Sequence, residues 1–410
     1  MIFIAVILFI SLFLVNRIKG PFAALCFYLA TKSVLDAMWT VRIGPFSPIS
    51  IGGIINPLLF FMVFRSDSIL SSKWKNMGKG LFICISFSLV LAVFYLDTIM
   101  IFERIFVHLN LYLGFLLIPV FVRTKKDFKY ILISLIVASI FPILVTLFQF
   151  LSGNLIYERK TAGLIRYVGF YHDAFPPRFY GSISLFSVMI YLDYFKPKGK
   201  KKILFLTLGF LSILTCYLAF SKAAVLIILS WVVIYAWYSK SKVKIVGGLS
   251  LFLVFLFLIF GNKFVENVEQ LFSKEMKYNQ GNITDARRTL AGRGYIWEEY
   301  YTFWADEQTF FYQTFGDGIP RPTHNEYLRL LLVNGYLGLI TYAIILISVL
   351  IKILFFRGRF KKYALMLFAM IFIDNIGLTT TDYYHYNIIL WGLMGVFLAV
   401  NKKAKFLYNG

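Results

Sequence analysis

Long apolar runs separated by short polar connections fill most of the chain. A helix that crosses a lipid bilayer needs about 20 mostly apolar residues, so these runs predict an all-α, polytopic transmembrane helix bundle with about 12–13 spanning helices. The first run has no basic start and no small-residue cleavage site, so we interpret it as a retained membrane helix rather than a signal peptide. The predicted segments are 1–15, 21–40, 43–64, 80–102, 106–122, 130–151, 180–195, 203–220, 223–239, 245–261, 327–351, 363–380 and 386–400.

Two long loops, 151–180 and 262–325, interrupt what is otherwise a single integral membrane domain over residues 1–410. Loops of this length in a compact protein are usually functional. Within the second loop, 264–277 mixes apolar and charged residues. An amphipathic helix at the membrane surface and a short solvated helix fit this stretch equally well.

Composition and charge support a membrane protein. The chain is 59% hydrophobic, with a mean hydropathy of +0.74, whereas soluble proteins are roughly 45–50% apolar. The net charge of +22 comes from basic residues in the short connections, which marks the cytoplasmic face and argues against a nucleic-acid partner. The long loops then lie on the opposite face and the C-terminus is cytoplasmic. The basic positions are Arg65, Lys73, Lys75, Lys79, Arg123, Lys125, Lys126, Lys129, 196–202, 240–244, 352–362, Lys402, Lys403 and Lys405.

The cysteines do not indicate a metal site or a disulfide framework. Cys26, Cys84 and Cys216 are far apart in apolar runs and form no CxxC spacing, so packing is their expected role. We predict no metal and no cofactor.

The end of the second loop carries the first candidate site. The segment 322–329 reads Pro-Thr-His-Asn-Glu-Tyr-Leu-Arg. Thr323 is expected to cap a helix, with Glu326 as its capping-box partner, so that His324 and Asn325 lie at the mouth of the helix. Backbone N–H groups and the helix dipole favour anions there, such as a diphosphate. An interfacial histidine that only hydrogen-bonds the loop is the alternative for His324.

Arginines in both long loops are candidate anion ligands, because a guanidinium group can bind two phosphate oxygens at once. In the second loop, Arg293 stands between Gly292 and Gly294, which are expected to let backbone and ligand approach, and Trp297 follows one turn later. The preceding pair, Arg287 and Arg288, is better explained as solvated.

The first loop contributes Arg166, His172 and Arg178, with Asp173 directly after the histidine. Successive side chains diverge in an extended segment, so we predict a binding loop here rather than a His–Asp dyad. A tight turn at 221–224, which contains Lys222, lies on the same face.

Several polar residues occur within apolar runs, where they are costly and often functional. Lys32 and Asp36 are one helical turn apart and are expected to neutralise each other. Glu326 and Arg329 can pair in the same way. Asp374 is a candidate for lining a cavity. Gly335 and Gly338 are spaced to allow close helix approach.

The ordered set of motifs from Arg166 to the end resembles the O-antigen polymerase and O-antigen ligase superfamily of bacterial membrane glycosyltransferases. His-Asn at 324–325 is followed by nine residues, a glycine, two residues and another glycine, which resembles the family signature. Similar motifs begin at Arg166, at Ser221, at Gly292 and, as Gly-Asp-Gly, at Gly316. The chain departs from the family after Phe170, where it reads Tyr-His-Asp-Ala-Phe-Pro-Pro and the family continues into Pro-Asn.

The resemblance implies metal-independent transfer of a glycan from an undecaprenyl-diphosphate carrier at the periplasmic or extracellular face of the bacterial inner (plasma) membrane. Arg166 and Arg293 would hold the diphosphate and His324 would orient or deprotonate the attacking hydroxyl. Asn325, Trp297, Arg178, Lys222 and His172 would bind substrate. A chain-length regulator or a flippase would be a further partner.

Three functions remain open at this point. A repeat-unit polymerase for O-antigen or capsule, which we favour, transfers the glycan to the terminal sugar of another lipid-linked unit. An O-antigen ligase transfers it to lipid A–core. A lipid or solute transporter would more often show internal repeats and a site at the bilayer midplane, and the sequence shows no such repeat.

Overall fold

The computed structural model describes residues 1–44, 46–63, 70–239, 257–258 and 260–399. It is a helical bundle, with 17 α-helices and almost no sheet in this described part, which agrees with the predicted all-α class. In chain order the helices are α1 (Ile2–Lys19), α2 (Pro21–Asp36), α3 (Pro48–Val63), α4 (Ser72–Ala92), α5 (Thr98–Gly114), α6 (Leu117–Phe121), α7 (Lys125–Ser152), α8 (Phe175–Ile190), α9 (Gly199–Leu218), α10 (Lys222–Tyr238), α11 (Asn262–Leu271), α12 (Ser273–Asn279), α13 (Arg293–Thr302), α14 (Phe310–Phe315), α15 (Glu326–Phe355), α16 (Lys361–Gly377) and α17 (Tyr384–Leu398).

Five helices, α1, α4, α7, α9 and α15, are long and apolar enough to cross a membrane, and α3, α10 and α17 are shorter apolar helices. Several apolar helices of this kind indicate a membrane protein. Most of the predicted span 245–261 lies outside the described residues, as do Arg65, the basic run 240–244, and Lys402, Lys403 and Lys405 of the tail.

The predicted spans 80–102 and 106–122 differ from the helices observed. Helix α4 ends at Ala92, and α5 begins at Thr98, where the Asp97 side chain accepts a hydrogen bond from the Met100 amide at 2.8 Å. This cap starts a new helix inside a run that hydropathy alone reads as continuous. The second run is divided again, because α5 ends at Gly114 and the short α6 follows.

The described basic connections meet at one end of the bundle, which we call the basic end. Arg359 donates to the Asp193 carbonyl at 3.1 Å, and the Lys362 ammonium lies 2.7 Å from the Asp193 carboxylate. Lys125 lies 4.7 Å from the centre of the Tyr194 ring. Helices α7, α9 and α16 start at this end, so their last residues and both long loops lie at the other end, which we call the loop end.

The long loops contain secondary structure of their own. In the first, β1 (Arg159–Thr161) pairs antiparallel with β2 (Leu164–Arg166), which sets Arg159 opposite Arg166. In the second, the predicted helix over 264–277 is present as two helices, α11 and α12, divided at Phe272.

Helix α17 forms the centre of the bundle, since every residue from Tyr384 to Leu398 is buried. The Trp391 ring stacks on Phe115 with centroids 4.8 Å apart, and the Trp74 indole donates to the Phe115 carbonyl at 2.8 Å. By contrast, only Ala5 of α1 is buried. The central position of α17 fixes the segment before it, 378–383, in the middle of the loop end.

Candidate functional site

A cavity at the loop end gathers charged residues from distant parts of the chain. It has a volume of about 230 Å³ and is lined by the first loop, the start of α8, the α9–α10 turn, the second loop and the end of α16. Its cationic lining residues are Arg166, Arg178, Lys222 and Arg293, its acidic ones are Asp173 and Asp374, and Trp297 lies beside them. The first-loop, turn and second-loop motifs therefore converge in space.

Arg178 has a fixed partner. It was expected in the first loop, but it lies in the first turn of α8, because the helix already begins at Phe175. Its guanidinium is 2% exposed and donates to the buried Asp374 carboxylate at 2.5 Å. The Tyr386 hydroxyl donates to the other Asp374 oxygen at 3.1 Å. Arg178 is therefore neutralised within the wall of the cavity.

Lys222 is also paired. Its ammonium donates to both oxygens of Glu275, at 2.5 and 2.6 Å, and the same carboxylate accepts from the Leu290 amide at 2.8 Å. Burial raises the pKa of Glu275, but the hydrogen bonds from Lys222 and Leu290 outweigh it and lower that pKa overall. Glu275 thus ties the second loop to the α9–α10 turn.

Arg166 and Arg293 have no such carboxylate partner among the described residues. Arg166 donates to the Phe220 carbonyl at 3.1 Å, while its buried Nε makes no hydrogen bond. Arg293 makes neither a hydrogen bond nor an ion pair with any described residue. Its Nη1 lies close to Gly377, because a Cβ added to that glycine would be 2.8 Å from this nitrogen. Burial lowers the pKa of both guanidinium groups, nearby Arg178 lowers both further, and Asp173 opposes the change. Arg293 also lowers the pKa of Arg166.

A strained turn positions Arg293. Leu290, Ala291 and Gly292 have φ values of 50°, 64° and 80°, and Arg293 then begins α13. A Cβ on Gly294 would lie 2.5 Å from the Arg287 Cα. The two glycines flanking Arg293 were expected to admit a ligand, but Gly292 supplies a left-handed turn and Gly294 packs against the loop's own backbone.

His324 lies beside the cavity, but the predicted cap at Thr323 is wrong. Asn325 caps α15, with its side chain accepting from the Leu328 amide at 3.0 Å. His324 has a φ of 50°, so the helix cannot start before it. The Thr323 carbonyl accepts from the Trp297 indole at 3.0 Å, which links the His324 segment to a residue that lines the cavity.

The imidazole of His324 is half-exposed. Burial lowers the pKa of His324, nearby Arg293 lowers it further, and Asp173 opposes both. The lowered pKa favours the neutral imidazole, which can accept a proton. The neighbouring Asn325 amide donates weakly, at 3.4 Å, to the carbonyl of Ile376, which lines the cavity.

His172 does not join this group. Its ring packs edge-on against Trp39 with centroids 4.7 Å apart, and its carbonyl accepts from the Arg159 Nε at 2.8 Å. It is not among the residues that line the cavity. Its position supports the hairpin of the first loop rather than contact with a ligand.

Other predicted pairs form as expected. Lys32 donates to Asp36, and Arg329 pairs with Glu326 at 2.7 Å. The roles of Glu275 and of the 376–378 segment were not foreseen, because they depend on contacts between residues more than 50 positions apart.

No protein-family model matches the chain, and no curated protein matches it either. The geometry of the cavity and the order of the motifs therefore carry the functional argument.

Proposed function

We propose that this protein is a membrane glycosyltransferase that moves a glycan from an undecaprenyl-diphosphate carrier to the terminal sugar of a second lipid-linked repeat unit. The observation that carries the proposal is the pair Arg166 and Arg293, which approach one cavity without a carboxylate partner in the described chain. Burying a cation in this way is unfavourable unless an anion completes the site. Two guanidinium groups suit a diphosphate, since each can bind two oxygens.

The proposed glycan transfer uses Arg166, Arg293 and His324 as follows. The acceptor hydroxyl attacks the anomeric carbon of the donor, a new glycosidic bond forms, and the bond from that carbon to the diphosphate oxygen breaks. The lipid diphosphate leaves with the electron pair, and Arg166 and Arg293 stabilise its charge. The neutral His324 accepts the proton of the attacking hydroxyl.

The paired cations have a supporting role in this proposal. Arg178 and Lys222 are held by Asp374 and Glu275, so they shape the wall of the cavity and are not free to follow the ligand. Trp297 fixes the His324 segment through the Thr323 carbonyl.

The resemblance to the O-antigen polymerase and ligase superfamily supports the same assignment. Its first-loop, turn and second-loop motifs supply Arg166, Lys222, Arg293 and Trp297, all of which line the cavity. On this proposal, the loop end faces the periplasm or the exterior of a bacterial inner membrane, where lipid-linked glycans are assembled into polymers.

The purified protein in liposomes with lipid-linked repeat units should lengthen the glycan without an energy source. Arg293→Lys should lower the rate by about 100-fold, because an ammonium cannot reproduce the bidentate contact in a preorganised site. Product would be measured by gel electrophoresis of the labelled glycan.

Arg287→Lys is the matched control, since Arg287 lies in the same loop but is exposed and paired with Asp285 and Glu298. It should leave the rate unchanged. Movement of the intact lipid across the bilayer with no lengthening would contradict glycan transfer and favour a transporter, and transfer to lipid A–core alone would identify a ligase.

A further inference from the structure

A second cavity lies at the loop end, between α3, α5 and the segment that leads into α17. Its volume is about 270 Å³. None of the residues that line it belongs to the motifs discussed above. The function proposed so far therefore leaves this cavity unused.

The chemistry of the second cavity is opposite to that of the first. Five aromatic rings line it, and the Phe102 ring lies 4.7 Å from Phe106 and 5.8 Å from Phe46. Glu103 and Asp382 are its charged residues, and neither lysine nor arginine occurs among the described residues that line it. Asp382 is paired with an arginine outside the lining, so the net negative charge of the lining comes from Glu103, and it disfavours a diphosphate.

One polar group of this cavity has unused hydrogen-bonding capacity. The exposed Glu103 carboxylate accepts from the Ser50 hydroxyl at 3.1 Å and has no cationic partner in the described chain. Asp382, in contrast, is paired with Arg104 at 2.7 Å.

A thin wall separates the two cavities. Leu378 and Phe175 line the first cavity, and Tyr383 lines the second. The rings of Phe175 and Tyr383 are 4.7 Å apart. A ligand in the second cavity would therefore lie next to the cationic cavity, with one layer of side chains between them.

We propose that the second cavity binds a sugar of the acceptor glycan that lies behind the reacting terminal sugar, an inference that rests on the glycan transfer proposed above. Aromatic faces carry negative partial charge and attract the C–H face of a sugar ring. Sugar hydroxyls donate strong hydrogen bonds to carboxylates such as Glu103. The acidic lining directs the carrier diphosphate to the first cavity.

The test measures the binding of two ligands separately to the full chain in nanodiscs. The first is the oligosaccharide released by mild acid from the lipid-linked repeat unit, which has no diphosphate, and the second is undecaprenyl diphosphate. Glu103→Gln and Phe102→Ala should each weaken oligosaccharide binding by about tenfold and leave undecaprenyl diphosphate binding unchanged. Arg293→Ala should weaken undecaprenyl diphosphate binding and leave oligosaccharide binding unchanged.

Glu266→Gln and Phe94→Ala are matched controls, since both residues are exposed and lie outside the two cavities. The inference would be overturned if oligosaccharide binding survived in both Glu103→Gln and Phe102→Ala. It would also be overturned if Arg293→Ala abolished oligosaccharide binding. Failure of the unaltered protein to bind the oligosaccharide would overturn it as well. Failure to bind undecaprenyl diphosphate alone would refute the proposed function while leaving the sugar site standing.

Discussion

Two kinds of cation line the first cavity, and pairing distinguishes them. Arg178 is held by Asp374 and Lys222 by Glu275, whereas Arg166 and Arg293 form no ion pair with a carboxylate in the part of the chain that the structure describes. Sequence alone cannot separate the two kinds, because Asp374 lies 196 positions from Arg178. The candidate arginines were predictable from their motifs, but their different roles were not.

Substituting one arginine of each kind should change stability in opposite directions. Arg178→Met leaves the fully buried Asp374 without its partner and should destabilise the protein by about 3–5 kcal/mol. Arg293→Met removes a cation that has no partner and should raise the midpoint of thermal unfolding without ligand. The measurement is thermal unfolding in detergent, and equal losses in both variants would contradict the distinction.

The titration of His324 should report the charges around it. Because Arg293 lowers the pKa of His324 and Asp173 opposes it, Arg293→Gln should raise that pKa and Asp173→Asn should lower it further. In the unaltered protein the imidazole should titrate below its ordinary value, so activity should fall as acidification protonates it. NMR of labelled histidines measures these changes in pKa, and the His324 signal is assigned by its loss in His324→Gln. If neither Arg293→Gln nor Asp173→Asn changed the pKa, His324 would lie away from the cavity.

At the scale of elements, a break in α15 was the main feature that hydropathy did not predict. Gly335 has a φ of 63° and a ψ of −168° inside this helix. The backbone of the second loop fills the break, with the Gly318 amide donating to the Val333 carbonyl at 3.0 Å. The expected role of Gly335 in helix–helix approach is therefore replaced by close contact with a loop.

Gly335→Ala should destabilise the protein by about 1–3 kcal/mol, because the residue is left-handed and has no space for a side chain. A Cβ at this position would lie 2.4 Å from the Thr314 backbone. Gly80→Ala in α4 is the control, since a Cβ there meets no atom within 4 Å. Thermal unfolding of the two variants compares them directly, and equal stability would show that α15 is not broken at Gly335.

Apolar runs predicted most helices because burial in lipid depends on composition, which is local in sequence. The helix ends were harder to predict. The positive φ of His324 moves the start of α15 past Thr323, and the Asp97 cap divides a continuous apolar run. These boundaries depend on single side chains and backbone angles, to which hydropathy is insensitive.

For the whole molecule, the decisive feature is that the basic connections and the two cavities lie at opposite ends of the bundle. The basic connections meet around Asp193, while both cavities lie at the loop end. The sequence predicted this division from alternating basic loops, but it could not show that the cationic and acidic cavities share a wall. That arrangement requires residues from both long loops and from helices α3, α5, α8 and α16 to fold together.

The two ends should lie on opposite sides of the membrane. In a variant with Cys26, Cys84 and Cys216 replaced by alanine, single cysteines are introduced at two exposed positions, Glu299→Cys at the loop end and Lys198→Cys at the basic end. A membrane-impermeant maleimide added to spheroplasts should label Glu299→Cys at once and Lys198→Cys only after permeabilisation, since basic connections remain in the cytoplasm. Reversed labelling would place both cavities inside the cell, where transfer to an exported lipid-linked glycan could not occur.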